Sequence, residues 1–127
     1  MRDLAGDGLQ GRRLLVVEDD FLIASDLAYS LEQLGAEIIG PAGSVNEALE
    51  LVETSSERMD AAVLDINLHG LRVYPVADAL VRRGVPFVFA SGYDGKTIPE
   101  PYCQVLRLEK PVDKGLLARS LVKLCAA

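Results

Sequence analysis

Three short runs, Leu14–Val17, Ala61–Leu64 and Phe87–Ala90, are apolar at every position, and that continuity constrains the fold more than any other feature of the chain. A strand with one wet face alternates apolar and polar residues. A strand apolar throughout has to be covered on both sides, as happens at the centre of a parallel sheet flanked by helices. The stretches between supply those helices. Ala24, Leu27, Ala28, Leu31 and Leu34 share one helical face, as do Val45, Ala48, Leu49 and Val52, and as do Leu117, Leu121 and Leu124. Ser44 followed by Glu47 forms a capping box that starts the second of these helices, and Gly35 stands where the first needs a left-handed residue to stop.

The same reading along the whole chain predicts strands over 14–17, 36–39, 61–64, 86–90 and 104–108, alternating with helices over 21–34, 45–55, 75–83 and 112–125. The 127 residues leave room for one core. Five strands exchanging with helices in that length give an α/β domain built on a flavodoxin-like, doubly wound five-stranded parallel sheet. Residues 94–103 break the rhythm with Gly95, Pro99 and Pro101, so the fourth helix is expected to be short, irregular or mobile. Residues 1–11 show no periodic pattern and read as a flexible lead-in, with the domain running over 12–127.

Half the residues are hydrophobic and a quarter charged, the balance of a folded globule. A formal net charge of −6, with basic residues no denser than the pairs Arg12-Arg13 and Arg82-Arg83, argues against direct nucleic-acid binding. The longest apolar stretches are four to six residues, too short to span a membrane, and the N-terminus lacks a signal-peptide pattern. The chain therefore reads as cytoplasmic. Cys103 and Cys125 sit in no metal-ligand spacing and read as thiols serving as small apolar filler.

Ligands of doubly wound sheets lie beyond the carboxyl ends of the strands, so the residues that follow each strand converge in space. After the first come Glu18, Asp19 and Asp20; after the third, Asp65 with Asn67; after the fourth, Ser91; after the fifth, Lys110. A dinucleotide or flavin site would need glycines and free amide groups after the first strand, and three carboxylates stand there instead. Packed acids repel one another and repel phosphate. A hard divalent cation resolves both conflicts by bridging the acids to a phosphoryl oxygen, and Mg²⁺ is the cation this set points to. Taken alone, the triplet reads equally as a solvated loop or as caps for the following helix. Asp65 is different, because it ends an apolar strand where an isolated charge is costly without a metal or a cation such as Lys110.

The pieces Leu15-Val16-Val17-Glu18-Asp19-Asp20, Leu64-Asp65-Ile66-Asn67-Leu68, Phe89-Ala90-Ser91-Gly92 and Glu109-Lys110-Pro111 resemble the motifs of response-regulator receiver domains, from about residue 12 to the end. The resemblance implies a single-domain response regulator of a two-component system, which takes a phosphoryl group from a sensor histidine kinase or a histidine phosphotransfer protein. It implies that Asp65 accepts that group, that Glu18 and Asp19 bind Mg²⁺ together with Asp65 and the main-chain carbonyl of Asn67, that Ser91 bonds the phosphoryl group, and that Lys110 pairs with it. Asp20 looks more like a helix cap. The protein is then no enzyme beyond self-directed phosphotransfer and autodephosphorylation, and with no output domain after its last helix it signals through protein contacts. The chemistry fits, since a carboxylate is a competent nucleophile and phosphoryl transfer depends chiefly on alignment and charge neutralisation. A cis Lys110–Pro111 bond is expected to aim the lysine into the site.

Residues Phe89 to Asp94, with Tyr74-Pro75-Val76-Ala77, are similar to the receiver subgroup named for its Phe-Ala-Thr-Gly-hydrophobic-Tyr motif, which implies donor kinases of the HWE type. Ser91 replaces the threonine and keeps its hydroxyl, whereas Tyr93 and Asp94 fill the last two places and the final tyrosine is missing. Three residues before the lysine, where receivers carry a switching aromatic, this chain has Arg107. The signal is expected to pass instead through the Ser91 loop and residues 92–103. His69 reads as a turn residue, Tyr93 as a shield for the acyl phosphate or a packing aromatic, and Tyr29, Tyr74 and Tyr102 as packing residues. Two other readings stand beside this one. An aspartate-nucleophile phosphatase, by resemblance, wants a second aspartate where this chain has Asn67, whose amide does not titrate. A receiver-like interaction module without phosphorylation has no need of the set Glu18, Asp19, Asp65, Ser91 and Lys110.

Overall fold

Strand β1 (Arg13–Val17) leads into helix α1 (Phe21–Gln33), β2 (Glu37–Ala42) into α2 (Val45–Thr54), and β3 (Ala61–Asp65) into a two-strand hairpin, β4 (Asn67–Leu68) and β5 (Leu71–Arg72), before α3 (Tyr74–Arg83). Then β6 (Phe87–Ser91), a 3-10 turn at Glu100–Tyr102, β7 (Arg107–Glu109) and α4 (Lys114–Ala126) complete the order. The computed structural model describes residues 8–92 and 98–126. Five strands form one parallel sheet in the order β2-β1-β3-β6-β7. This is the doubly wound topology expected from the apolar runs.

Because successive side chains of a strand point to opposite faces, the central strands sort their residues between two cores. Leu15, Val17, Ala62, Leu64 and Phe89 pack beneath α2 and α3 through Ala48, Val52, Val76 and Leu80. Leu14, Val16, Ala61, Val63 and Val88 pack on the other face, against Leu27 and Leu31 of α1 and Leu117 and Leu121 of α4. The helix starts follow the sequence signals. Asp20 Oδ1 accepts from the N–H groups of Leu22 at 2.9 Å and Ile23 at 3.1 Å, capping α1. Ser44 Oγ accepts from Glu47 N–H at 3.1 Å, while the Glu47 carboxylate reaches one residue further back than expected, to the N–H of Gly43 at 2.9 Å.

Several expectations are corrected. Packing begins before residue 12: Leu9 is fully buried in the core beneath α1 and α4, and Gly11 N–H donates to the Gly35 carbonyl at 2.9 Å. One leucine among glycines has no periodicity to announce it. Strand β7 starts at Arg107 rather than 104, because the backbone is still turning there, with Val105 N–H donating to Tyr102 O at 3.1 Å. Of the irregular region after β6, residues 98–103 hold only the 3-10 turn, while Tyr93, Asp94 and Gly95 lie outside the described residues, as does 1–7 of the expected lead-in. Tyr74 and Tyr102 do pack, ring on ring with centroids 5.5 Å apart. Tyr29, by contrast, is 62% exposed, since it sits off the Ala24–Leu27–Ala28–Leu31 stripe of α1. Cys103 is exposed in the turn and Cys125 half-buried, so the first is no core filler. The hairpin was not expected; His69 at φ +51° and Gly70 at φ +86° form its two-residue turn, the positive-φ pair that a tight β-hairpin of type I′ requires.

Leu9→Ala is expected to destabilise the protein by about 2–4 kcal/mol, the usual cost of emptying a buried leucine site, measured by urea unfolding. A loss below about 0.5 kcal/mol, the size of an ordinary surface substitution, would show that the segment is not part of the core.

Candidate functional site

At the sheet's carboxyl edge the fold collects the residues that the sequence marks. β1 delivers Glu18 and Asp19, Asp65 and Ser91 are the last residues of β3 and β6, and Lys110 follows β7 directly. Since β1 and β3 are neighbours while β1 also pairs with β2 on its other side, the chain's direction of winding reverses between them, and a crevice opens there. Glu18, Asp65 and Ser91, at 3%, 5% and 4% exposure, are the buried polar or charged residues among those described. A cavity of about 350 Å³ opens over Asp19, Asp65, Asn67, Ser91 and Lys110, with Arg72 on its wall.

The Lys110 ammonium holds the site together. Its Nζ lies 2.7 Å from Glu18 Oε1 and 3.2 Å from Asp65 Oδ2. Main-chain amides take other oxygens: Asp20 N–H donates to Glu18 Oε2 at 3.1 Å, Asn67 N–H to Asp65 Oδ1 at 3.3 Å, and His69 N–H to Asp19 Oδ2 at 2.8 Å. The Lys110 N–H donates to the Ser91 carbonyl at 2.8 Å, and the Lys110–Pro111 bond is cis, as expected. Burial pushes the Glu18 carboxyl up to about 7; Lys110 and the Asp20 amide oppose that rise, and the neighbouring Asp65 charge adds to it. Burial likewise raises Asp65 above the ordinary carboxylate range, against the pull of Lys110. For Asp19, burial is outweighed by the His69 N–H, so its carboxyl is held below the ordinary value. For Lys110, burial is outweighed by Glu18 and Asp65, and the ammonium is held more tightly than usual.

One carboxylate oxygen each from Glu18, Asp19 and Asp65 lies within 4.8 Å of the other two. Glu18 Oε1, although beside the ammonium, is buried and accepts no aligned hydrogen bond from it or from any other donor among the described residues. Three close carboxylate oxygens, with a buried Glu18 oxygen beside them left without a donor, suit a hard divalent cation of the Mg²⁺ kind. Asn67 lines the same cavity, its side-chain Oδ1 accepting from Gly70 N–H at 2.9 Å.

Asp20 caps α1 and is no part of the cluster. His69 is an exposed turn residue whose ring Nδ1 lies 3.5 Å from Asp19 Oδ2. Arg107 stands in register with Phe89 on the edge strand, 3.8 Å from Glu109, and does not line the cavity. Sequence reasoning missed Arg72. The signal for it was His69-Gly70 between Asn67-Leu68 and Leu71-Arg72, a two-residue hairpin turn whose strands are too short to show alternation.

No family model matches the chain. Among curated proteins it is similar to the transcriptional regulatory protein PdtaR of Mycobacterium tuberculosis, 40% identical over 95 residues, covering 74% of this chain and 45% of PdtaR. The chain thus spans less than half the length of the curated relatives it matches. Among solved structures it is similar to SdrG from Sphingomonas melonis Fr1, with 37% identity, a TM-score of 0.76, and coverage of 91% of this chain and 97% of that one. The BeF3-activated conformation of SdrG, under Pseudomonas melonis Fr1, matches at 38% identity and a TM-score of 0.73 over 89% and 95% of the two chains. A CheY-like response regulator receiver domain from Methylobacillus flagellatus matches at 26% identity and a TM-score of 0.76 over 91% and 99%. With an acidic cluster and a lysine at the sheet's carboxyl edge, and near full-length likeness to SdrG, the chain belongs to the response-regulator receiver domains.

Proposed function

We propose that this receiver domain accepts a phosphoryl group on Asp65 from a phosphohistidine of a sensor histidine kinase, of the HWE type by motif resemblance, or of a histidine phosphotransfer protein. The observation that carries the reading is the ammonium of Lys110 set between the buried carboxylates of Glu18 and Asp65, beneath a cavity that Ser91 also lines. An Asp65 carboxylate oxygen attacks phosphorus, the phosphorus–nitrogen bond of the donor breaks, and its electron pair stays with the imidazole. Lys110 and the Ser91 hydroxyl bind the phosphoryl oxygens as charge builds on them. Glu18, Asp19, Asp65 and the Asn67 carbonyl would hold Mg²⁺, which when bound neutralises phosphoryl charge. The domain then acts in the cytoplasm through protein contacts. No helix among the described residues is long and apolar enough to cross a membrane.

With acetyl phosphate and Mg²⁺, the wild-type protein is expected to gain the mass of one phosphoryl group. Asp65→Asn should abolish the gain, and Lys110→Ala should slow it about 10²-fold, as losing one positioned charge at a developing anion does. An Asp65→Asn protein that labels like wild type would rule out Asp65 as the acceptor.

The raised Glu18 carboxyl fixes a pH trend. With its folded pKa near 7 and its ordinary value at 4.5, the native state of the metal-free protein holds more protons than the unfolded chain between those limits. Stability should therefore fall as pH rises from about 4.5 through 7, and thermal unfolding in EDTA should show it. Mg²⁺ should offset the fall, and Glu18→Gln should remove most of it. A metal-free melting temperature that climbs across this window would contradict the buried-acid picture.

A further inference from the structure

The wall of the cavity carries a cation that the chemistry above leaves unused. Arg72 lines the cavity beside Asp65, Ser91 and Lys110, and its guanidinium makes no hydrogen bond or ion pair among the described residues. Its position is built. Arg72 pairs with Asn67 across the β4–β5 hairpin, and directly opposed residues send their side chains to the same face about 5 Å apart. The hairpin itself is pinned to the site. Leu68 is buried, His69 N–H holds Asp19 at 2.8 Å, Gly70 N–H holds Asn67 Oδ1 at 2.9 Å, and Val73 N–H returns to the Ile66 carbonyl at 2.9 Å.

Charge counting gives this cation a task. The carboxylates of Glu18, Asp19 and Asp65 are balanced by Lys110 and one divalent cation. Converting the Asp65 carboxylate to an acyl phosphate then adds about one negative charge. Among the described residues lining the cavity, Arg72 holds the remaining positive charge, and its planar fork can engage two phosphoryl oxygens where the lysine offers a point charge. We propose that Arg72 is a phosphoryl-binding residue, which folds from the hairpin over the cavity and bonds the phosphoryl oxygens on Asp65. This rests on Asp65 as the acceptor.

The test titrates beryllofluoride, a phosphoryl mimic, into the Mg²⁺-loaded protein and follows amide NMR shifts, with a separate titration of Mg²⁺ alone. Arg72→Ala should weaken beryllofluoride binding about tenfold, a loss in line with one charge-assisted hydrogen-bonding group. Mg²⁺ alone should bind as tightly as before or slightly tighter, because a positive charge has gone. Arg72→Lys should recover part of the loss. Equal beryllofluoride affinity of wild type and Arg72→Ala overturns the proposal and leaves the acceptor reading standing. So does an equal loss for Mg²⁺ alone, which would mark Arg72 as a support of the site's structure. A wild-type protein that binds Mg²⁺ and takes no beryllofluoride removes the acceptor reading, and this inference with it.

Discussion

The ammonium of Lys110, lodged between Glu18 and Asp65, is the contact on which the site depends. Two carboxylates buried at adjacent strand ends would repel each other and lose their hydration, and one positive charge between them makes the arrangement tolerable. The sheet dictates what that charge must look like. β7 lies two strands from β3, roughly 10 Å at ordinary strand spacing, so the side chain crossing between them has to be long. It also has to pass the end of β6, where Ser91 lines the cavity and is small enough to leave the way open. A lysine following the edge strand and a serine ending its neighbour are thus two halves of one geometric solution.

The same site is a load on the fold. Glu18 and Asp65 sit where hydrophobic residues would pack more favourably, and their burial holds both carboxyls above their ordinary range. The sheet carries it because its centre is apolar on both faces, with Leu14 to Val17, Ala61 to Leu64 and Phe87 to Ala90 all buried. A cation among the three acids would relieve the repulsion.

Legibility in the sequence followed the range of the signal. The central strands could be read because uninterrupted apolar runs have one good explanation in so short a chain. Glu18, Asp19, Asp65, Ser91 and Lys110 could be read because strand ends of a doubly wound sheet converge wherever they fall in the sequence. Asp20 was legible as a cap since its effect is local. What depends on a partner far away was not. Leu9 is a core residue only because α1 and α4 close over it, and Tyr29 is exposed because its helical angle misses the buried stripe by one residue. Arg72 was missed for a related reason: two-residue strands carry no alternation, so only the hairpin's pairing brings it opposite Asn67.

Arg107 raises a different question, because by resemblance its place belongs to an aromatic that moves between exposed and buried positions. A guanidinium cannot follow that path cheaply, since burying its charge without partners costs far more than burying a ring. Here it stays on the edge strand near Glu109, already with one buried nitrogen lacking a hydrogen bond. The aromatic volume is supplied elsewhere. Phe89, two residues before Ser91 on the same strand, packs edge-on against Tyr102 at 6.1 Å and Tyr74 at 6.0 Å, and Tyr102 stacks on Tyr74. This cluster ties the strand that ends at Ser91 to the turn at Glu100–Tyr102 through close-packed rings, and close-packed groups transmit displacement. The aromatic packing between the site strand and the turn at Glu100–Tyr102 therefore runs through Phe89 and Tyr102.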